Sequence, residues 1–321
     1  MIIPTYWSSA KKTISYTVEK SGKILRRRKT FFRFGWSSTS QKDADFLAEQ
    51  RLQKAIADDS PLRRETKVAY NGAEGLPIRE EIVASRGDAV VTRNSYGALC
   101  LNTPDVLILD VDTDNLGKPP LWFSLLAGPF FFVVSFFLLT GCQFGLSVLG
   151  GVVGYFLANF LWGLGFFVYK WMNGGVLGLL RTKTKSFAGT RWRFYKTPNG
   201  YRLFETSRRW AAKDKNTADM MNALLVDPLY LRMCVMQDCF RARVSPKPWR
   251  AGVGRLRSPL WPVSPEKLLE RQKWVEEYNR VADLFASCKF LEGDENYGDG
   301  SVRKTILWHD EMACRKNKPL A

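Results

Sequence analysis

The chain contains very little histidine: His309 is the only one among 321 residues. A Ser/His/Asp arrangement would have to use this histidine, and nothing in the sequence marks a partner serine. The sequence also has no Walker A loop and no G-x-G-x-x-G fingerprint. The glycine-rich phosphate cradles of P-loop and dinucleotide-binding proteins are therefore not indicated.

Cysteine is also sparse, and the six cysteines do not form a compact disulfide framework. In a chain of this length they are typical of reduced thiols in a cytosolic compartment. Two spaced pairs, Cys234-x4-Cys239 and His309-x4-Cys314, together with Cys288, contain enough ligand types for zinc. However, C-x4-C is looser than C-x2-C, and Cys234 lies in an apolar, helical-looking stretch where a buried thiol is ordinary. The sequence therefore disfavours a zinc site.

Charge is absent from Pro119 to Tyr169. Since one membrane-spanning helix needs ~20 apolar residues, this run is long enough for two, and we predict them at Leu121–Leu139 and Leu146–Val168. The uncharged turn TGCQFG separates them. An ordinary soluble core does not need so long a run without charge, so the sequence predicts a transmembrane helical hairpin at residues 119–170, in contact with the lipid bilayer.

Basic residues flank this run on both sides, whereas its central turn has none. Lys118 precedes it, and Lys170, Arg181, Lys183 and Lys185 follow it. The positive-inside rule then places both termini in the cytoplasm and the turn outside.

Small residues recur at spacings of four in the second predicted span, at Gly150, Gly154 and Ala158. Such a stripe lets two helices approach closely, so it predicts packing against the first helix or against a second copy of the protein in a homo-oligomer. The alternative is that these positions face lipid without a partner. The predicted spans contain no ionisable carboxylate, Lys, Arg or His, which argues against a transport pathway or proton relay through them.

The two regions that flank the apolar run, residues 1–118 and 171–321, contain signals for both strands and helices. A hairpin is predicted to turn at Asn94–Gly97. A second is predicted at Asn199-Gly200, a dipeptide that favours the positive φ angles of a tight turn. Ser40 is predicted to begin a helix whose buried side is drawn from Phe46, Leu47, Ala48, Leu52 and Ala55. Because a long Ser/Gly linker is absent, we predict one α+β cytoplasmic domain interrupted by the two-helix transmembrane hairpin, with two small separate domains as the alternative.

The chain is strongly basic, with a net charge of +17. The segment from Lys170 to Arg257 contains 19 Lys and Arg against 5 Asp and Glu. A basic block of this kind attracts the phosphate groups of nucleotides, nucleic acid or anionic lipid. The alternative is a solvated basic flank beside the membrane.

The stretch DVLILDVDTD, residues 105–114, ends an apolar strand with acids at alternate positions. Alternate residues of a strand point the same way, so Asp110, Asp112 and the next acid, Asp114, are expected to share one face. Carboxylates held this close repel one another unless a cation lies between them. Oxygen ligands of this kind suit Mg²⁺ or Mn²⁺, with phosphate completing the coordination. The alternative is a solvated acidic turn.

Basic residues that suit phosphate follow in two places. Arg202 comes directly after the second predicted hairpin turn. A strand over FRARV would place Arg241 and Arg243 on one face, and Lys247 follows closely. Asp238 precedes this strand and is a candidate for a further carboxylate. The alternatives are an ordinary hairpin turn and an exposed basic strand.

The order of these elements resembles the motifs of the archaeo-eukaryotic primase–polymerase superfamily. The elements are a hydrophobic strand ending in D-x-D, a hairpin with T-x-x-G-x, and the run R-x-x-P-K-P. The usual histidine of that family's second motif is replaced here by arginine. What the resemblance implies is a divalent metal site at Asp110, Asp112 and Asp238 and phosphate contacts from Arg202, Arg243 and Lys247.

The whole sequence is similar to a family of uncharacterised bacterial transmembrane proteins, through runs such as YNGAEGLPIREE, RNSYGALCLNTPDVL, DPLYLRMC and FRARVSPKPWR. That resemblance implies a location in the bacterial inner (plasma) membrane. The expected function is binding of nucleotide or nucleic acid with Mg²⁺ or Mn²⁺ by a basic cytoplasmic domain, with a divergent or inactive primase–polymerase-like core. The alternative is a non-enzymatic membrane scaffold that binds anionic lipid or a partner protein.

Overall fold

Strands and helices are mixed along the chain in a computed structural model, which describes residues 1–20, 23–65, 76–113, 116, 121–138, 144–258 and 261–321. The strands in these ranges are β1 Tyr6–Lys20, β2 Lys23–Ser37, β3 Glu81–Arg86, β4 Ala89–Arg93, β5 Leu99–Thr103, β6 Ile108–Asp112, β7 Trp192–Thr197, β8 Gly200–Glu205, β9 Phe240–Arg243 and β10 Lys289–Gly293. The helices are α1 Gln41–Ala57, α2 Leu121–Leu138, α3 Phe144–Met172, α4 Gly175–Lys185, α5 Lys215–Ala223, α6 Pro228–Gln237, α7 Pro265–Ala282 and α8 Gly300–Ala313.

Two four-stranded antiparallel sheets form the body, in the orders β10-β7-β8-β6 and β3-β4-β5-β9. Each sheet combines strands from both sides of the apolar segment, because β6 pairs with β8 and β5 pairs with β9. Buried side chains from both sides, among them Leu107, Leu109, Phe204 and Phe240, belong to one hydrophobic cluster. The two flanking regions therefore share sheets and a core, and the α+β part of the predicted fold class agrees with the structure.

The apolar run does not form the predicted pair of membrane-spanning helices. Among the described residues, one helical stretch, Ser147–Met172 in α3, is long and apolar enough to cross a membrane. Within α2, the apolar stretch whose side chains the structure describes is Phe123–Phe136, which is shorter than the ~20 residues that a span needs. The prediction of a transmembrane hairpin at residues 119–170 is wrong because the run divides unequally, into helices of 18 and 29 residues.

The helices α2 and α3 pack against each other through small residues. A Cβ atom at Gly150 would overlap the side chain of Ser135, and one at Gly154 would overlap Phe131. Ala158 is buried on the same helix. The glycines of the predicted stripe thus lie against the first apolar helix, which is one of the two alternatives. The homo-oligomer stays a prediction.

A long hairpin of β1 and β2 packs on α1 at the start of the chain, where Phe31 meets Leu52. The predicted helix start is confirmed, because the Ser40 side chain accepts a hydrogen bond from the backbone N–H of Asp43. Phe46 was expected on the buried side but is 70% exposed. The side chains that α1 buries are Ala44, Ala48, Leu52 and Ala55.

The hairpin of β7 and β8 forms as predicted, but its turn differs. Thr197 pairs with Gly200, so the two connecting residues are Pro198 and Asn199. Neither Asn199 nor Gly200 has a positive φ angle. The structure requires glycine at position 200 for a different reason, since a Cβ atom there would overlap the carbonyl oxygen of Val111. This close approach brings the β7–β8 turn to the end of β6.

Candidate functional site

The acids of the D-x-D motif lie at the end of β6 and line the same pocket. Asp110 and Asp112 are on alternate positions of the strand, and both contribute to a pocket of about 250 Å³ and to an adjoining hollow of about 60 Å³. The predicted common face is therefore formed by these two residues. Asp114 lies outside the described residues.

Three basic residues, here called the basic wall, line the adjoining hollow together with the two acids. Arg243 ends β9, Lys247 follows it, and Arg250 lies in a short 3₁₀ turn, Pro248–Arg250. The side chain of Arg250 donates to the Asn199 side-chain oxygen at 2.7 Å, which ties this wall to the β7–β8 turn. Two strands and one turn that are far apart in sequence thus bring carboxylates and cations to one small cavity.

The charges of this wall influence one another. Burial lowers the pKa of Arg243, but Tyr96 and the Asp110 charge outweigh that effect and raise it overall, so this guanidinium stays charged. Burial lowers the pKa of the Lys247 ammonium, and the neighbouring Arg243 and Arg250 lower it further. The Nε atom of Arg243 is buried and has no hydrogen-bond partner among the described residues. A crowded basic wall with an unsatisfied buried donor is an environment that an anion would stabilise.

Arg202 lies behind the acids rather than in the pocket lining. Its side chain is 1% exposed and its Nη2 atom is 3.4 Å from Oδ1 of Asp110, the residue directly across the β6–β8 pair. Its Nη1 atom donates to the carbonyl oxygen of Arg243 at 2.8 Å and is 3.2 Å from Nε2 of His309. The residue predicted to contact phosphate therefore positions Asp110 and the end of β9.

Arg241 lines the far end of the pocket and is paired with an acid that the sequence did not single out. Its guanidinium donates to Glu80 at 2.6 Å, and the two side chains are 14% and 12% exposed. Burial lowers the pKa of Arg241, but the Glu80 carboxylate outweighs this and raises it overall. This part of the pocket lining is an ion pair, in contrast to the basic wall of the adjoining hollow.

The structure does not bring Asp238 to the pocket. This residue ends α6 with a left-handed φ of 54°, and its carboxylate is 3.4 Å from Lys213 and 3.9 Å from the amino group of Met1. Asp227, at the opposite end of α6, lines the pocket instead. Its side chain accepts from the backbone N–H of Leu229 at 2.7 Å.

Sequence reasoning missed Asp227 and Glu80. A signal for Asp227 is present, because an acid before Pro228 is typical of a residue that caps a helix. The sequence around Glu80 has no comparable signal, since its place in the pocket depends on the pairing of distant strands. Tyr230 was missed as well, although its hydroxyl is 2.9 Å from the carbonyl oxygen of Ile108 and 3.0 Å from that of Arg241.

The size and charge of the pocket limit what it can hold. A volume of about 250 Å³ is smaller than the ~300–1,000 Å³ typical of pockets that enclose a whole organic ligand. It suits a phosphate chain with a cation, and the rest of such a ligand would extend into solvent. Asp110 and Asp112 offer the oxygen ligands that Mg²⁺ and Mn²⁺ prefer, and the basic wall offers partners for phosphate.

Comparisons of the chain with protein-family models, with curated proteins and with solved structures find no match. The resemblances to primase–polymerase proteins and to a bacterial transmembrane family stay predictions from the sequence motifs.

Proposed function

We propose that the pocket at the end of β6 binds a phosphorylated ligand of the nucleotide class together with Mg²⁺ or Mn²⁺. The observation that carries the proposal is the convergence of Asp110 and Asp112 with Arg243, Lys247 and Arg250 around one cavity. Asp110 and Asp112 would hold the cation, which would offset their negative charge and that of the phosphate. The basic wall then contacts the remaining phosphate charge.

A nucleotidyl-transfer reaction, which the primase–polymerase resemblance implies, would use a third acid beside the D-x-D pair. Asp238 is separated from the pocket by the length of α6, whereas Asp227 lines it. The proposal therefore assigns Asp227, rather than Asp238, as the acid that would complete such a metal site. Binding is the activity proposed here, and it does not depend on that reaction.

The membrane is the proposed location of this pocket. The outer sides of α2 and α3 expose large apolar side chains, among them Phe130 at 62%, Phe156 at 67% and Phe160 at 65%. Exposed apolar surface of this extent is typical of a protein or membrane contact. The lack of charge from Pro119 to Tyr169 favours lipid as the contact.

The alternative function is a membrane scaffold that has no pocket ligand. The same apolar helices would serve it, but it requires neither Asp110 nor Asp112. The two functions therefore differ in their dependence on these acids.

Calorimetric titration of the detergent-purified full-length protein with ATP in the presence of Mn²⁺ tests the proposal. We expect the native protein to bind and Asp112→Asn to bind about tenfold more weakly or worse, a loss of roughly 1.4 kcal/mol or more. Asp112 is preferred to Asp110 for this test because Asp110 is also the partner of buried Arg202.

Asp238→Asn is the matched control, since it makes the same chemical change outside the pocket and should bind as the native protein does. The proposal fails if the native protein does not bind ATP with Mn²⁺. It also fails if the two variants bind equally well and moderate salt removes binding from both, which would favour the scaffold.

A further inference from the structure

Two cysteines and the one histidine of the chain meet in the core behind the pocket. Cys288 lies just before β10, His309 lies in α8, and Cys314 follows the last residue of α8. The two sulfur atoms are 3.4 Å apart, and Nε2 of His309 is 3.8 Å from the sulfur of Cys288. All three ligand atoms lie within 4.8 Å of one another. The histidine and Cys288 are fully buried, and Cys314 is partly exposed.

We propose that Cys288, His309 and Cys314 form a zinc site. In a tetrahedral site with Zn–S near 2.3 Å and Zn–N near 2.0 Å, the two sulfurs are roughly 3.8 Å apart and each lies roughly 3.5 Å from the nitrogen. Two observed separations, 3.4 Å between the sulfurs and 3.8 Å from the Cys288 sulfur to Nε2, are within a few tenths of an ångström of these values. The third, from the Cys314 sulfur to Nε2, is no longer than 4.8 Å. Small side-chain rotations would place a zinc ion between the three atoms.

The surroundings of His309 also suit a metal ligand. Its Nδ1 atom is 2.9 Å from Oδ1 of Asp310, and the other carboxylate oxygen of Asp310 accepts from Arg193 at 2.9 Å. A carboxylate at this position holds the proton on Nδ1 and leaves Nε2, the atom nearer Cys288, unprotonated and able to bind a metal. Metal-binding histidines commonly have such a partner.

Arg202 is the one cation in direct contact with this group among the described residues, and its Nη1 atom is 3.2 Å from Nε2 of His309. Zinc would replace this single hydrogen bond, while Arg202 keeps its contacts with Asp110 and with the carbonyl oxygen of Arg243. Two thiolates, one neutral imidazole and Zn²⁺ sum to zero charge. The bound ion therefore adds no net charge beside the buried guanidinium.

A zinc ion held by these residues would fasten α8 to the edge of the β10-β7-β8-β6 sheet. Three protein ligands leave a fourth position open for water or a further ligand. The two remaining cysteines of the spaced pairs, Cys234 and Cys239, are not part of this group. Zinc was disfavoured at the sequence level because of the loose C-x4-C spacing and the apolar setting of Cys234, and the group found here includes neither Cys234 nor Cys239.

Zinc analysis of the full-length protein, purified without chelators, tests this site. We expect about one zinc per chain in the native protein, and loss of most of it in Cys314→Ser and His309→Asn. Cys239→Ser is the control, because it removes a buried thiol outside the group and should retain zinc.

Cobalt provides a second readout that needs no variant. After zinc removal, Co²⁺ added to the native protein should produce the visible absorption of a tetrahedral ion and a thiolate-to-cobalt charge-transfer band. The proposal is overturned if the native protein has no zinc and gives no such spectrum. It is also overturned if Cys314→Ser keeps its zinc, or if mass analysis finds Cys288 and Cys314 joined as a disulfide in the freshly isolated protein.

Discussion

The residues around Lys247, the lysine of the basic wall, make its charge sensitive to pH. Burial, Arg243 and Arg250 lower the pKa of Lys247 below its usual 10.5, and Asp112 and Asp110 only partly oppose them. Arginine does not lose its proton in this range, so Lys247 is the member of the wall whose charge changes.

We therefore predict that affinity for ATP with Mg²⁺ falls as the pH rises from about 7 to about 9.5 at constant ionic strength. Only the protonated ammonium attracts phosphate, and a lowered pKa makes its charge disappear at a lower pH than that of a free lysine. Lys247→Arg should remove most of this decline, because the guanidinium stays protonated. An equal decline in native protein and variant would contradict this role for Lys247.

The residues of the site differ in how far the sequence could predict them. Alternation along a single strand was sufficient to place Asp110 with Asp112. The position of Arg202 could not be read in the same way, because it depends on the β6–β8 register that sets this arginine opposite Asp110. Asp238 was misplaced because the left-handed turn at the end of α6 directs it toward Lys213.

At the scale of single elements, the β7–β8 hairpin was predicted correctly, but for a reason that the structure does not support. Asn199-Gly200 was expected to supply positive φ angles, yet Gly200 is needed because β6 and β8 come together without room for a side chain. The helix start at Ser40 was likewise predicted correctly, although Phe46, expected on the buried side, is exposed. Local capping and turn signals predict where elements begin and end, whereas the packed face depends on partners that are distant in sequence.

We predict that Gly200→Ala destabilises the protein by about 1–3 kcal/mol and also weakens ATP binding with Mn²⁺. The added Cβ would overlap the carbonyl oxygen of Val111 and lie 3.2 Å from the Cα atom of Asp112, so β6 has to shift at the pocket. Urea unfolding and calorimetry measure the two effects. Gly254→Ala is the control, because no described atom lies within 4 Å of the added Cβ. The explanation is wrong if the two variants behave alike.

At the scale of the whole molecule, the sheets restrict how the apolar helices can meet a membrane. β6 precedes α2 and α3, β8 follows them, and the two strands pair from Ile108 opposite Phe204 to Asp112 opposite Gly200. The same holds for β5 and β9. A single crossing by Ser147–Met172 would place the paired strands on opposite sides of the bilayer. The composition of the run predicted lipid contact, whereas the strand pairing holds the two ends of the run in one folded body.

We predict that both termini of the protein lie on the same side of the membrane. Epitope tags at the two ends of the full chain, exposed to protease in sealed membrane vesicles, should both be cleaved or both be protected. If both tags are protected, detergent should make both accessible to the protease. This control shows that the membrane, and not the folded domain, protected the tags. Cleavage of one tag with protection of the other would mean that the chain crosses once, and this is incompatible with the hydrogen-bonded pairs of β6 with β8 and of β5 with β9. The experiment therefore tests the sheet topology and the membrane proposal together. Loss of the protein from the vesicles on washing would mean that α2 and α3 do not contact lipid.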